Sequence, residues 1–210
     1  MRDESSTGPP PAADAEPRLQ PRLEGRSGDP VATHIAFLRA INVPGHVTVK
    51  MPALRAAFRA AGCANVRTYQ GSGNVLFETP TRRSALFVKI RARLARLFGG
   101  EPVIVFRSAA QLRAIVTAAP FKRYAANRAI KIYVAFLAKR PKKRPRLPAR
   151  SSKDRLEIIV VRGREAFVVS RRKPRGLFYG IPNPFIEAVL GVPATCRNWS
   201  TVTKIAALIR

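Results

Sequence analysis

Residues 66–78, VRTYQGSGNVLFE, carry the clearest structural signal in the chain. Val66 to Tyr69 and Val75 to Glu78 are strand-like runs. Between them, Gln70-Gly-Ser-Gly-Asn74 supplies glycines able to take the positive φ angles of a tight hairpin connection. On the N-terminal side, His34-Ile-Ala-Phe-Leu38 is a short apolar run suited to a buried strand. Met51, Leu54, Phe58 and Ala61 then recur at helical spacing, with Pro52 fitting the first helical position, Gly62 the end, and Arg55 and Arg59 facing solvent. On the C-terminal side, a second helix turns Leu86, Ile90, Leu94 and Leu97 inward and closes at Gly99-Gly100, and Val103 to Phe106 is a further strand. The order strand, helix, strand, strand, helix, strand predicts a ferredoxin-like split βαβ unit over residues 31–120.

Ser108 with Gln111 forms a capping-box pattern opening a helix through Leu112, Ile115 and Val116, stopped by Pro120 and read as a joint. Residues 121–210 then predict a second α+β half. Ile130 to Leu137 alternates as a half-buried strand, and Arg155 to Val161 with Ala166 to Ser170 forms a hairpin around Gly163. Asn183, Pro184 and Gly191 frame a short helix from Phe185 to Leu190, and Val202, Ile205, Leu208 and Ile209 mark a last helix. The expected fold class is α+β: two ferredoxin-like halves with mostly antiparallel sheets and helices packed on one face.

The chain has 210 residues, enough to bury a core without disulfides or metals. Hydrophobic residues make up 46%, too many for a disordered basic protein. No apolar run approaches the roughly 18 residues a membrane span requires. Residues 1–30 are rich in proline and poor in aliphatic side chains, so a disordered extension is expected there. That segment lacks an apolar signal-peptide core, and its acids argue against a mitochondrial transit peptide. An over-extended start codon would produce the same segment. A cytoplasmic location and no membrane partner follow as expectations.

Lys and Arg total 39 against 12 Asp and Glu, a formal charge of +27. Residues 31–210 hold 35 of those cations and only six acids, a net +29. Arg outnumbers Lys by 29 to 10, a skew that GC-rich codon bias can produce by itself, so the sign of the charge informs more than the choice of Arg. The six acids, Glu78, Glu101, Asp154, Glu157, Glu165 and Glu187, are scattered singly. Glycosidase chemistry needs two converging carboxylates and divalent-metal phosphoryl chemistry needs clustered oxygen ligands; neither pattern is present. His34, His46, Cys63 and Cys196 lack zinc-site spacing, so no metal and no cofactor is expected. Without an export signal, both cysteines are expected as free thiols.

Leu38-Arg-Ala-Ile-Asn-Val43 with Lys50-Met51, Arg67-Thr-Tyr69 with Ser72-Gly-Asn-Val75, and Thr195-Cys-Arg-Asn-Trp-Ser-Thr-Val202 together resemble the bacterial family catalogued as domain of unknown function 1697. Its pattern reads approximately LRGINVGG, RTYxQSGNV and TxRNWNTV, and the resemblance covers residues 33–210. It implies a compact cytoplasmic α+β protein of two ferredoxin-like halves with no established reaction. Ala40 stands where the family has Gly, Pro44 opens its Gly-Gly pair, Gly71 replaces Gln and Ser200 replaces Asn. These departures weaken the transfer of any shared activity.

Each motif has a structural and a functional reading. Arg39 to Gly45 follows a strand and precedes a helix, where backbone amides can face an anion; alternatively Asn42 and Gly45 supply turn conformations and Arg39 covers the sheet edge. Arg67 to Asn74 is either an anion-binding nest beside Arg67 and Ser72 or a hairpin turn. Asn198 or Ser200 suits an N-cap, and Trp199 suits packing into the joint. Arg197 is costly to bury unpaired, so it lies at the surface, meets backbone carbonyls or awaits an anion. His34 reads as structural, and His46 is the better general acid or base. A small anionic ligand, in a binding or weakly catalytic pocket, would be held by Arg39, Asn42, Lys50, Arg67, Tyr69, Ser72, Asn74, Arg197, Asn198 and Trp199. A third reading treats these motifs purely as fold determinants.

Lys139-Arg-Pro-Lys-Lys-Arg-Pro-Arg146 is a basic, proline-punctuated segment kept extended by mutual repulsion. Lys142, Lys143, Arg144 and Arg146 there, with Arg171, Arg172, Lys173 and Arg175 near Phe178 and Tyr179, suit phosphate contacts plus base stacking. The leading expectation is therefore a non-enzymatic or weakly enzymatic protein that binds RNA, DNA or another polyanion without sequence preference.

Overall fold

The computed structural model describes residues 31–42, 48–80, 84–118, 129–172 and 182–209, together with Phe121, Tyr124 and Asn127. His46, Pro44, Gly45, Pro120, Lys173, Arg175, Phe178, Tyr179 and the extension at residues 1–30 lie outside the described residues. The chain runs β1 (Val31–Leu38), α1 (Met51–Ala60), β2 (Ala64–Tyr69), β3 (Asn74–Pro80), α2 (Ser84–Phe98), β4 (Ile104–Ser108) and α3 (Ala109–Thr117). It continues with β5 (Ile130–Leu137), β6 (Ala149–Ser151), β7 (Leu156–Arg162), β8 (Glu165–Arg171), α4 (Asn183–Leu190), β9 (Ala194–Asn198) and α5 (Trp199–Ala207).

The hairpin between β2 and β3 forms, with positive φ at Gln70 and Gly73 rather than at Gly71. A Cβ on Gly73 would stand 2.9 Å from Leu38 Cβ, so both the backbone angle and the close approach require glycine there. The predicted capping box also forms: Gln111 N donates to Ser108 Oγ at 3.1 Å and Ser108 N to Gln111 Oε1 at 2.9 Å. Leu97, expected inward, is 39% exposed, while Ile90 and Leu94 alone are fully buried on that face of α2.

The first sheet has the order β2-β3-β1-β4 and the second β6-β7-β8-β5-β9, with every pairing antiparallel. The fold is therefore α+β. The second sheet departs from the expected second half in two ways. β9, where the sequence suggests only the approach to the last helix, is an edge strand, and the stretch between β5 and β7 carries the basic segment and the short β6 where the first half has α1.

β1 is buried on two faces, which explains its unbroken apolar run; β5, expected from its alternation to be half-buried, is likewise buried on both faces from Val134 to Leu137 because it lies inside its sheet. Ala36 and Leu38 of β1 face a cluster built with Leu54 and Phe58 of α1 and Ile90 and Leu94 of α2. Ala135 and Leu137 of β5 face Ile186 and Leu190 of α4. Ile35 and Phe37 meet Val134, Phe136, Phe167 and Val169 in a cluster shared by both sheets, completed by Leu112 and Ile115 of α3 and Val202 and Ile205 of α5.

The pairing registers make the two sheets equivalent. Ile35 pairs with Arg107 as Val134 pairs with Arg197, and Phe37 pairs with Asn74 as Phe136 pairs with Glu165. The end bonds repeat as well. Leu38 N donates to Gly73 O and Leu137 N to Arg164 O, while Arg39 N donates to Val103 O and Ala138 N to Pro193 O. Among the described residues no helix is long and apolar enough to cross a membrane.

Candidate functional site

Arg197 projects from β9 across the join between the sheets and is 8% exposed. Its Nε donates to Asn74 Oδ1 at 2.5 Å, and Nη1 donates to Thr195 Oγ1 and Cys196 O, both at 2.8 Å. Nη2 reaches Leu38 O at 2.7 Å, Ser72 O at 2.9 Å and Gly73 O at 3.3 Å. Of the alternatives the sequence leaves open for this side chain, the structure shows contact with backbone carbonyls. Loss of hydration pulls the guanidinium down to about 10. Among the described residues no carboxylate accepts from it, and oriented peptide dipoles do the work of a counterion.

Arg107 occupies the equivalent position on β4. Its Nε donates to Glu165 Oε1 at 2.6 Å, and its Nη2 to Leu137 O at 3.3 Å and Arg164 O at 2.9 Å. Burial lowers this guanidinium too, offset by Glu165. Each arginine thus caps the carbonyls at the open end of the other sheet's central strand.

Several motif residues gather around this knot. Asn74, fully buried, donates from Nδ2 to Tyr69 O at 2.9 Å and Ser72 Oγ at 3.1 Å. Asn42, at φ 55°, donates to Gly71 O and Val49 O and accepts from Val49 N, tying the loop after β1 to the hairpin turn. Arg39 forms an ion pair with Glu187 of α4, whose Oε1 also accepts from Ala194 N. Tyr69 and Trp199 pack against the shared cluster, Trp199 edge-on to Phe121 at 5.2 Å. Other motif residues stand apart. Arg67 and Lys50 are exposed, and Asn198 sits at the N-cap of α5 without a side-chain capping bond.

A profile of the family described as protein of unknown function (DUF1697) matches residues 31–167. The chain belongs to this family. Among solved structures, this DUF1697 chain is similar to the conserved bacterial protein SP0830 from Streptococcus pneumoniae. The identity is 20% and the TM-score 0.59, over 86% of this chain and 100% of that one. At that identity the likeness is one of fold. Comparison with curated proteins finds no match. Thr195 to Val202, which carries the third motif, lies beyond the family match, yet Arg197 binds Asn74 of the second motif inside it.

In this DUF1697 chain Lys142, Lys143, Arg144 and Arg146 are all exposed. The segment is held from beneath: Lys142 N and Lys143 N donate to Leu190 O at 3.0 and 3.3 Å, and Lys143 Nζ reaches Ala188 O at 3.4 Å. Lysines at the C-terminal end of α4 also suit the negative pole of that helix. Arg171 bonds Glu157 at 2.8 Å alongside Arg150 at 3.1 Å, and Arg172 is exposed. Burial raises the Glu157 carboxyl, but hydrogen bonds from Arg171 and Arg150 outweigh it and hold the group below its ordinary value.

Both thiols are free, and burial pushes Cys63 up to about 12 and Cys196 in the same direction, so neither is a thiolate near neutral pH. One feature went unread in the sequence: a cleft of about 400 Å³ beside β4, lined by Phe87 and Arg91 of α2, Phe106 and Ser108 of β4, and Arg164. Its signal was the aromatic and arginine at i and i+4 on α2, which read as an ordinary amphipathic helix.

Proposed function

We propose that this DUF1697 protein binds phosphate-bearing polyanions, RNA or DNA, in the cytoplasm without sequence preference, through the basic segment from Lys139 to Arg146. One observation carries the reading. Glu157, Glu165 and Glu187 are engaged by arginines of the fold itself, while Lys142, Lys143, Arg144 and Arg146 belong to none of the ion pairs among the described residues. Their charge is left for an external partner, and neutralising phosphates there releases condensed counterions. The segment follows the surface as a loop and offers neither a helix nor a ribbon to enter a groove, which suits backbone contact rather than base readout.

The motif residues are assigned a structural role in this reading. Every nitrogen of Arg197 already has acceptors within the protein, so the cluster around Asn74 joins the two sheets. The test is fluorescence anisotropy with a labelled single-stranded RNA and a labelled DNA duplex, each in two unrelated sequences. Affinity is expected to be similar between sequences and to fall steeply with salt. Absence of binding at low salt, or binding indifferent to salt, rejects the proposal.

A further inference from the structure

We infer that the cleft beside β4 binds a small organic anion, a carboxylate or phosphate monoester carried on an apolar or aromatic body, between Arg91 and Arg164. The two sheets are equivalent in register, and the cleft is lined by none of Lys142, Lys143, Arg144 and Arg146. At the open end of β1, Arg39 and Glu187 close the space beside Arg197 with an ion pair, and Glu187 is fixed by Ala194 N at the start of β9. At the equivalent end of β5 the residue matching Arg39 is Ala138. The helix side chain that reaches the start of the matching strand is Arg91, whose Nη2 donates to Ile104 O at 2.9 Å. A methyl group replaces a guanidinium and a cation replaces a carboxylate, so the space remains open and gains positive charge.

The cleft presents Arg91, Arg107 and Arg164, and the carboxylate next to it, Glu165, is already bound by Arg107 at 2.6 Å. Burial lowers the Arg107 guanidinium, Glu165 opposes that, and neighbouring Arg164 adds a smaller lowering. An anionic group here would supply what Glu187 supplies at the equivalent site. Phe87, Phe106 and Ala138 supply an apolar part of the lining, beside the polar Ser84, Ser108 and Gln111. Phe87 and Phe106 stack with centroids 4.2 Å apart, and the volume of about 400 Å³ accommodates a small metabolite rather than a polymer.

The probes are benzoate, phenyl phosphate and inorganic phosphate, titrated calorimetrically into the full chain at constant ionic strength. One or both aromatic anions should bind saturably at one site. The double variant Ala138→Arg with Arg91→Glu recreates the Arg39–Glu187 pair in the cleft and should weaken that binding at least tenfold without lowering Tm. Arg59→Gln on the far exposed face of α1 makes the same net charge change and should leave it intact. Arg164→Gln, a single change at a surface turn, gives a second test with the same expected loss should the double variant fold poorly. No saturable binding of either aromatic anion at millimolar concentration, or unchanged affinity in the Arg164→Gln protein, overturns the inference. Inorganic phosphate binding as tightly as phenyl phosphate contradicts the apolar component of the site. Loss of binding on replacing Lys142, Lys143, Arg144 and Arg146 by Ala would place the anion on the polyanion surface and overturn it as well.

Discussion

Phe37 and Phe136 stack with ring centroids 4.0 Å apart and planes 9° from parallel, where the two sheets meet. They hold equivalent positions on the two central strands. Arg197 of the second sheet lies 5.6 Å from the centre of the Phe37 ring, and Arg107 of the first lies 5.7 Å from that of Phe136. The join is thus an aromatic pair flanked by two buried guanidinium groups, each serving carbonyls of the opposite sheet. Desolvated cation–aromatic contacts of this kind contribute about 2 kcal/mol, added to the hydrogen bonds.

Removing Arg197 should be costly, because Leu38, Ser72 and Gly73 lose a shared donor and Asn74 Oδ1 loses its partner. Arg197→Ala is expected to destabilise the fold by about 3 kcal/mol or more, given that stranded buried polar groups cost about 1–3 kcal/mol each. Arg197→Lys should recover little, since an ammonium cannot span the acceptors of a planar fork. Urea unfolding measures both. In a double-mutant cycle with Asn74→Ala the two changes should be strongly non-additive.

Ala40 has φ 49°, in the left-handed region, at the position where the family pattern has glycine. An L-residue there costs about 1–2 kcal/mol relative to its ordinary conformation, and glycine escapes most of that. Ala40→Gly is expected to raise stability by about 0.5–1 kcal/mol, a rise in Tm of a few degrees by differential scanning calorimetry. Gly73→Ala, which meets both a positive φ and Leu38 Cβ, should do the reverse and more strongly.

Glu157 gives the protein an acid limb. Its folded-state carboxyl lies below the ordinary value because Arg171 and Arg150 bond the charged form. The unfolded state therefore binds the proton first as pH falls. The stabilisation is present above the ordinary carboxylate range and is lost as pH drops through the folded value. Glu157→Gln should lower stability at neutral pH and flatten the decline of Tm below about pH 4.5.

These cases show what the sequence discloses and what it conceals. The hairpin from Val66 to Glu78 was legible because turn chemistry and apolar alternation agree over a dozen residues. The helix boundaries at Gly62, Ser108 and Gly191 carry local capping signals, and the structure bears them out. β9 was not legible, since Arg197 and Asn198 look like loop residues and the acceptors that bury Arg197 lie more than 120 residues away. The convergence of Asn74, Ser72 and Arg197 could be posed from the motifs, but only the register places the guanidinium on carbonyls. The repeat itself left a trace in the recurrence of Ala36-Phe-Leu38 as Ala135-Phe-Leu137. That trace is too short to stand out without the equivalent pairing. The basic segment was legible as charge, whereas its anchoring on Leu190 O was not.

The proposed function depends on Lys142, Lys143, Arg144 and Arg146 neutralising phosphates directly. The decisive measurement is the slope of log affinity against log salt for a DNA duplex, compared between the wild-type chain and a variant with all four residues changed to Ala. Each phosphate neutralised contributes about 0.9 to that slope. The variant is expected to stay folded, with a melting temperature lower by no more than a few degrees, to bind more weakly, and to lose about 3.6 from the magnitude of the slope. An identical slope and affinity in a folded variant would contradict the assignment.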